Sequence, residues 1–299
     1  MSVDRSTFLT ERSLAASAGL DQMSAAQVIA LMNQQDACAV RAVEAVQSDV
    51  VRAVELIVDK LRIGGRLIYV GAGSSGRLGV LDASECPPTF RSDPSQVLGI
   101  IAGGNDAMFR AKEGAEDDAD AGAEAMRSHE VSASDVVCGI AAGGTTPFVH
   151  GALAHAKSVG AATIFLTCVQ RYDAEPFYDI TIRPLVGPEV LTGSTRLKAG
   201  TATKLVLNQL TTTTFVRLGK CYENLMVDLR CSNAKLVARG TQTIARVCHI
   251  NAAQAADLLQ RAGGHVKSAI VMHVRQCDLP AAGELLRIAD GHLRRVISA

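Results

Sequence analysis

Two glutamates stand in settings that suit acid–base chemistry: Glu85 in Asp-Ala-Ser-Glu-Cys-Pro-Pro and Glu116 in Glu-Gly-Ala-Glu-Asp-Asp. Glu85 has small or apolar neighbours and a Pro87-Pro88 pair expected to stop the helix and fix local geometry. Desolvation there is expected to raise its pKa toward a general-acid role. Glu116 stands beside Asp117 and Asp118, so on its own it reads more often as one acid of a solvated helix face.

Three glycine- and hydroxyl-rich loops accompany these carboxylates. Gly71, Gly73 and Gly76 keep a Gly-x-Gly-x-x-Gly spacing after an apolar run, which alone is a weak dinucleotide signal. Ser74 and Ser75 in that turn suit a compact phosphomonoester instead, and residues 95–100 offer no acid for a ribose. Backbone N–H groups at a helix N-terminus, helped by hydroxyls, bind phosphate without cofactor machinery. The second loop, 139–148, carries Thr145 and Thr146; the third, 192–208, carries Thr192, Ser194 and Thr195, with positive charge from Arg196 and Lys198. Any one loop can be an ordinary capped helix start. Three of them point to one shared anionic ligand.

The elements that must hold these loops follow from periodicity. Residues 24–62 read as helical, with Ser24 and Ser48 as caps and Gly64-Gly65 as the stop. Short apolar runs then recur as RLIYVGAG, VLGIIAGG, DVVCGIAAGG, TIFLTC and DITIRPLV, with helical stretches at 107–128 and 147–159. Such alternation predicts a parallel sheet covered on both faces, with ligands at the carboxyl ends of its strands. From about residue 240 the pattern is helical and duplicated. Residues 256–270 and 283–297 match, pairing Leu258 with Leu285, Gly264 with Gly291 and His265 with His292. A packing or dimerisation appendage is expected there, with both histidines as caps or surface residues.

Composition narrows the function. The 299 residues carry 30 basic and 30 acidic side chains, 4% aromatics and no Trp, which disfavours a nucleic-acid binder. No apolar run reaches the ~20 residues of a membrane span, and the N-terminal stretch lacks an apolar targeting core. Eight cysteines lie without a C-x-x-C pair, and several fall in apolar runs where free Cys packs as a small hydrophobe. The reading is a cytoplasmic, reduced protein without a metal site, acting on a small molecule.

The sequence resembles the N-acetylmuramic acid 6-phosphate etherases of the sugar-isomerase (SIS) superfamily. The resemblance runs from Thr10-Glu11-Arg12-Ser13 nearly to the end and is densest in GRLIYVGAGSSGRLGVLDASECPPTF, IIAGG, EGAEDD, VGPEVLTGSTRLKAGTATKLVLN and NLMVD. LDASECPPTF is its most specific part. It implies an α/β fold: a three-layer αβα SIS domain at 57–220, an N-terminal helical segment at 1–56 and a C-terminal helical subdomain at 221–299. It further implies a homodimer, no cofactor, and cleavage of a D-lactyl ether by elimination and hydration. By motif match Glu116 would remove the C2 proton; Glu85 would protonate departing lactate and then activate water. Substrate phosphate would meet Ser74, Ser75, Gly76, Thr145, Thr146, Ser194, Thr195 and Lys198.

Two departures from the family pattern matter. The family's Ala-Ala-Ser-Gly-Arg-Thr-Pro is here Ala141-Ala142-Gly143-Gly144-Thr145-Thr146-Pro147, which lacks a hydroxyl at 143 and a guanidinium at 145. Losing a charge-assisted phosphate contact costs on the order of 1.5–3 kcal/mol. A Cys-Asn-Pro stretch is replaced by Cys168-Val169-Gln170-Arg171-Tyr172, where Arg171 is the candidate to restore the charge. The alternatives are a sugar-phosphate sensor without turnover, or a SIS enzyme on a different phosphosugar, such as an isomerase.

Overall fold

The computed structural model describes residues 5–298. Residues 1–4, the start of the targeting-free segment expected above, and residue 299 lie outside the described residues. The chain divides into two compact units, one of residues up to Ser84 with Ser95–Thr211, the other of Glu85–Pro94 with the residues from Thr212.

The first α-helices of the first unit, which follow a series of short 3-10 turns, are α1 (Ala25–Glu44) and α2 (Gln47–Arg62). Ser24 caps α1 as expected: its side chain accepts from the Gln27 N–H, and Gln27 reciprocates in a capping box. Ser48 does not cap α2, because the helix starts two residues earlier than that cap would require, at Gln47 after Val46. The apolar stripe of α2 places Val50, Val54, Ile57, Val58 and Leu61 in the interior, each such side chain contributing about 1.5–3 kcal/mol when fully buried.

The sheet elements alternate with helices in the order β1 (Leu67–Gly71), α3 (Gly73–Phe90), β2 (Val97–Ile101), α4 (Ala119–Ser128), β3 (Val136–Ile140), α5 (Pro147–Ser158), β4 (Ala162–Leu166), β5 (Ile180–Ile182) and α6 (Lys198–Arg217). All five apolar runs are strands. The sheet is parallel throughout, ordered β2-β1-β3-β4-β5. Every residue of β1 and β3 is buried, as expected for central parallel strands. Ile68, Val70 and Val137 pack with Phe148, Val149, Leu153 and Phe165 in one core cluster. Cys138 and Cys168 are fully buried, the small-hydrophobe role expected of them; burial pushes the Cys168 thiol up to about 12.

Two helical expectations shift. Residues 107–118 are not a continuous helix: a 3-10 turn covers Asn105–Met108, α4 starts only at Ala119, and Asp118 caps it by accepting from the Ala121 N–H at 2.8 Å. The Asp-Asp pair competes with the backbone for local hydrogen bonds and so favours a cap over a helix interior. Conversely, Pro87 and Pro88 do not stop α3, which continues to Phe90. The stop comes at Arg91, which adopts a left-handed φ of 51° while its N–H donates to the Pro87 carbonyl at 3.0 Å.

The second unit is largely helical. After the last turns of α6 it carries a small antiparallel hairpin of β6 (Cys221–Tyr222) and β7 (Leu225–Met226), too short to leave an alternating pattern. Then follow α7 (Ala234–Cys248), α8 (Ala252–Arg261), α9 (Val266–Arg275), α10 (Leu279–Ile288) and α11 (Leu293–Ile297). The duplicated sequence is the pair α8–α9 and α10–α11, each broken at a left-handed glycine, Gly264 and Gly291. His265 and His292 take the N-cap positions of α9 and α11. Leu258, Val266, Ile270, Leu293 and Val296 share one core. Among the described residues no helix is long and apolar enough to cross a membrane.

Candidate active site

Winding reverses at β1: the chain leaves it for β2 on one side and returns to β3 on the other. The carboxyl ends of β1 and β3 are register partners, Gly71 against Ile140. Loops that diverge from such a point leave a crevice between them, and a cavity of about 410 Å³ opens here.

Three helix starts converge on it. After β1, α3 begins at Gly73, so Ser74 and Ser75 occupy its first turn and line the cavity. Gly76 does not line it. A Cβ at Gly76 would stand 2.7 Å from the Gly71 carbonyl oxygen and from Ile101 Cγ1, so this glycine lets α3 approach the sheet. After β3, Gly143, Thr145 and Thr146 line the wall and Pro147 starts α5. Thr146 is the N-cap residue, yet its hydroxyl makes no cap bond. Ahead of α6, Ser194 and Thr195 complete the hydroxyl set. The first turn of α3 presents backbone N–H groups and a positive dipole end to an anion, whereas the Phe148 N–H of α5 and the Lys198 and Ala199 N–H groups of α6 are already bonded within the protein, which leaves the hydroxyls of those two loops as their donors.

Of the two cations expected in the third loop, Arg196 lines the cavity and Lys198 does not. Lys198 is 2% exposed, and its ammonium donates to Gln35 Oε1 at 2.8 Å. Its backbone N–H and that of Ala199 donate to the buried Glu189 carboxylate, at 3.0 and 2.9 Å. Burial raises the Glu189 pKa, and these two N–H groups and the Lys198 charge work against the rise. Lys198 therefore anchors the start of α6, while Arg196 lines the cavity. Arg171 is exposed and is not among the lining residues. The signal for Arg196 was its place two residues inside the hydroxyl-rich loop, ahead of the helix.

Acidic groups form the remaining wall. Glu116 lines the cavity from a turn, not from a helix face. Its backbone carbonyl accepts from the Phe148 N–H at 3.0 Å, which ties this turn to the start of α5. Asp117 lines the same wall, and so does Glu11 from the N-terminal segment. Glu11 entered the sequence reading only as part of the Thr-Glu-Arg-Ser run, without a role. Glu85 belongs to the second unit, on the continuation of α3, and is exposed rather than enclosed by the apolar neighbours its sequence suggested. Helical periodicity accounts for this: Ala83 and Cys86 take the buried positions on that turn. The cavity thus combines phosphate-type donors and one guanidinium with carboxylates able to move protons.

The description "Glucokinase regulatory protein N-terminal SIS domain" matches residues 49–157. The chain is 50% identical over 289 residues to the N-acetylmuramic acid 6-phosphate etherase of Rhodopirellula baltica, covering 97% of this chain and 96% of that one. It is 51% identical to the protein of that name in Gloeobacter violaceus, covering 96% of each. With the one in Synechocystis sp. it shares 47% identity over 99% of this chain and 97% of that one.

Proposed function

The chain belongs to the N-acetylmuramic acid 6-phosphate etherase family, and from that premise we propose that this enzyme is a carbon–oxygen lyase. It cleaves the D-lactyl ether of N-acetylmuramic acid 6-phosphate to N-acetylglucosamine 6-phosphate and D-lactate. The observation that carries the reading is the cavity at the β1–β3 reversal, where hydroxyls from three helix starts and Arg196 share a wall with Glu116.

In this reading Ser74, Ser75, Thr145, Thr146, Ser194 and Thr195 bind the phosphate, and Arg196, one of the two cations expected in the third loop, supplies the positive charge. The open-chain sugar has an acidic C2–H beside its C1 aldehyde. Glu116 takes that proton, electrons move into a C2–C3 double bond, and the C3–O bond breaks. Glu85 gives its proton to the leaving lactate oxygen. The carboxylate so formed then takes a proton from water as hydroxide adds at C3, and Glu116 returns its proton to C2. No net proton is gained or lost. Each acid–base group contributes roughly 10² to 10⁴ in rate. The assignment of Glu85 rests on the family resemblance of LDASECPPTF.

The test is to incubate the purified protein with N-acetylmuramic acid 6-phosphate and couple D-lactate to D-lactate dehydrogenase. Release well above that of a Glu85→Gln, Glu116→Gln double variant is expected. Absence of lactate together with thermal stabilisation by a sugar phosphate would overturn the reading in favour of a sensor or a different phosphosugar.

A further inference from the structure

Glu11 reaches the cavity by way of contacts that are distant in sequence. Ahead of it, Phe8 is 2% exposed and Thr10 fully buried, so the segment is seated on the first unit rather than trailing from it. Gln170 clasps its backbone from both sides: its side-chain amide donates to the Thr7 carbonyl at 3.0 Å, and its Oε1 accepts from the Leu9 N–H at 3.3 Å. The Tyr172 ring lies 5.4 Å from that of Phe8, and its hydroxyl donates to the Gly144 carbonyl at 3.0 Å. Arg183 holds the same stretch from below, donating to the Val169 carbonyl at 2.7 Å and pairing with the buried Glu175. Residues 169–175 therefore bridge the N-terminal segment to the second phosphate loop.

The side chain so delivered is unusual for a pocket that takes an anion. The Glu11 carboxylate makes no hydrogen bond or ion pair among the described residues, and its Oε2 lies 3.6 Å from where a Cβ on Gly193 would stand. An ionised carboxylate can only accept hydrogen bonds. It repels a phosphate, which is left to the hydroxyl loops, and it rejects any anionic substituent brought beside it. What suits it is a neutral donor carried on the body of the sugar.

We propose that Glu11 is a specificity-determining residue, accepting a hydrogen bond from a sugar hydroxyl or acetamide N–H, and that Gln170 and Tyr172 are positioning residues that hold it at the cavity. The inference rests on the sugar-phosphate reading of this site. It assigns the Gln170–Tyr172 stretch a task in place of the charge expected from Arg171.

The experiment compares wild type with Glu11→Ala, Gln170→Leu and the double variant. It measures KM and kcat for D-lactate release, and calorimetric affinity for N-acetylglucosamine 6-phosphate, which needs no turnover. Glu11→Ala is expected to raise KM and weaken binding by about 10-fold or more, with kcat moving far less. Gln170→Leu should do the same, and the double variant should be no worse than Glu11→Ala alone, because both act through one carboxylate. Unchanged KM and affinity in a folded Glu11→Ala variant, or additive losses in the double, would overturn the inference while lactate release upholds the etherase reading. Wild type that releases no lactate, yet binds the sugar phosphate more tightly than Glu11→Ala, overturns the etherase reading and keeps the inference. Wild type that does neither overturns both.

Discussion

Tyr172 donates its hydroxyl to the carbonyl of Gly144 at 3.0 Å, and His150 Nε2 lies 2.8 Å from that same oxygen. The two stretches in which this chain departs from the family pattern, 143–145 and 168–172, are thus in contact and form one structural feature. Val169 completes the fit, since a Cβ on Gly144 would meet its Cγ2 at 2.4 Å. The loop is a backbone turn held from behind by Tyr172 and His150.

The neighbouring glycines should therefore respond in opposite ways. A Cβ at Gly143 meets nothing within 4 Å, so Gly143→Ser adds a hydroxyl facing the cavity and is expected to lower KM for lactate release several-fold. Gly144 has φ +80° and is crowded by Val169, so Gly144→Ser should cost about 1–3 kcal/mol and lower Tm. A Gly143→Ser enzyme with unchanged KM would place the phosphate elsewhere.

Glu116→Gln should abolish exchange of the sugar's C2 proton with solvent deuterium, read by NMR. The amide cannot accept the proton, while the Phe148 N–H still fixes the backbone of that turn. Normal exchange in this variant would remove Glu116 as the base.

Glu85→Gln is expected to stop lactate release while leaving measurable C2 exchange, because it blocks protonation of the leaving group and not the first proton transfer. Loss of both activities with an unchanged circular dichroism spectrum would mean that the two carboxylates have been assigned the wrong way round.

Arg196→Ala should weaken substrate more than Ser75→Ala. Both side chains line the cavity, but only one carries charge, and charge-assisted contacts are worth roughly 1.5–3 kcal/mol against about 1 for a neutral bond. Both should appear chiefly in KM. If Lys198→Met raised KM more than Arg196→Ala without lowering Tm, the assignment of the cation would be reversed.

Stability should carry a signature of Asp82, whose carboxyl burial pushes up to about 6 from 3.8, against hydrogen bonds from Tyr69 and Thr211 and the charge of Lys204. A raised folded-state pKa means the folded protein holds its proton more tightly. The group's favourable contribution is complete below the unfolded value of 3.8 and is lost as pH rises through about 6. Asp82→Asn, which stays neutral, should gain Tm relative to wild type as pH goes from 4 to 7. A Tm difference that is flat across this window would contradict the shift.

The strands and the three hydroxyl-rich loops were legible in the sequence because they depend on local patterns: apolar runs ending in glycine, and helix starts rich in Ser and Thr; Glu116 stood out only through the family resemblance. The same local logic found the Ser24 cap and the duplicated α8–α9 and α10–α11 pairs. It misjudged features that long-range contacts decide. Local propensity gives no reason for α3 to run through Pro87 and Pro88 to Phe90. Lys198 and Arg196 look interchangeable in sequence, two residues apart beside the same loop. Tertiary packing separates them, burying Lys198 against Gln35 and Glu189 while Arg196 faces the cavity. Glu11 owes its place to a Gln170 clasp across 161 and 163 residues. Composition and periodicity thus determined which elements form and what chemistry their ends can offer. Which side chains meet in one cavity was decided by strand order and by hydrogen bonds between distant segments, neither of which leaves a periodic trace in the chain.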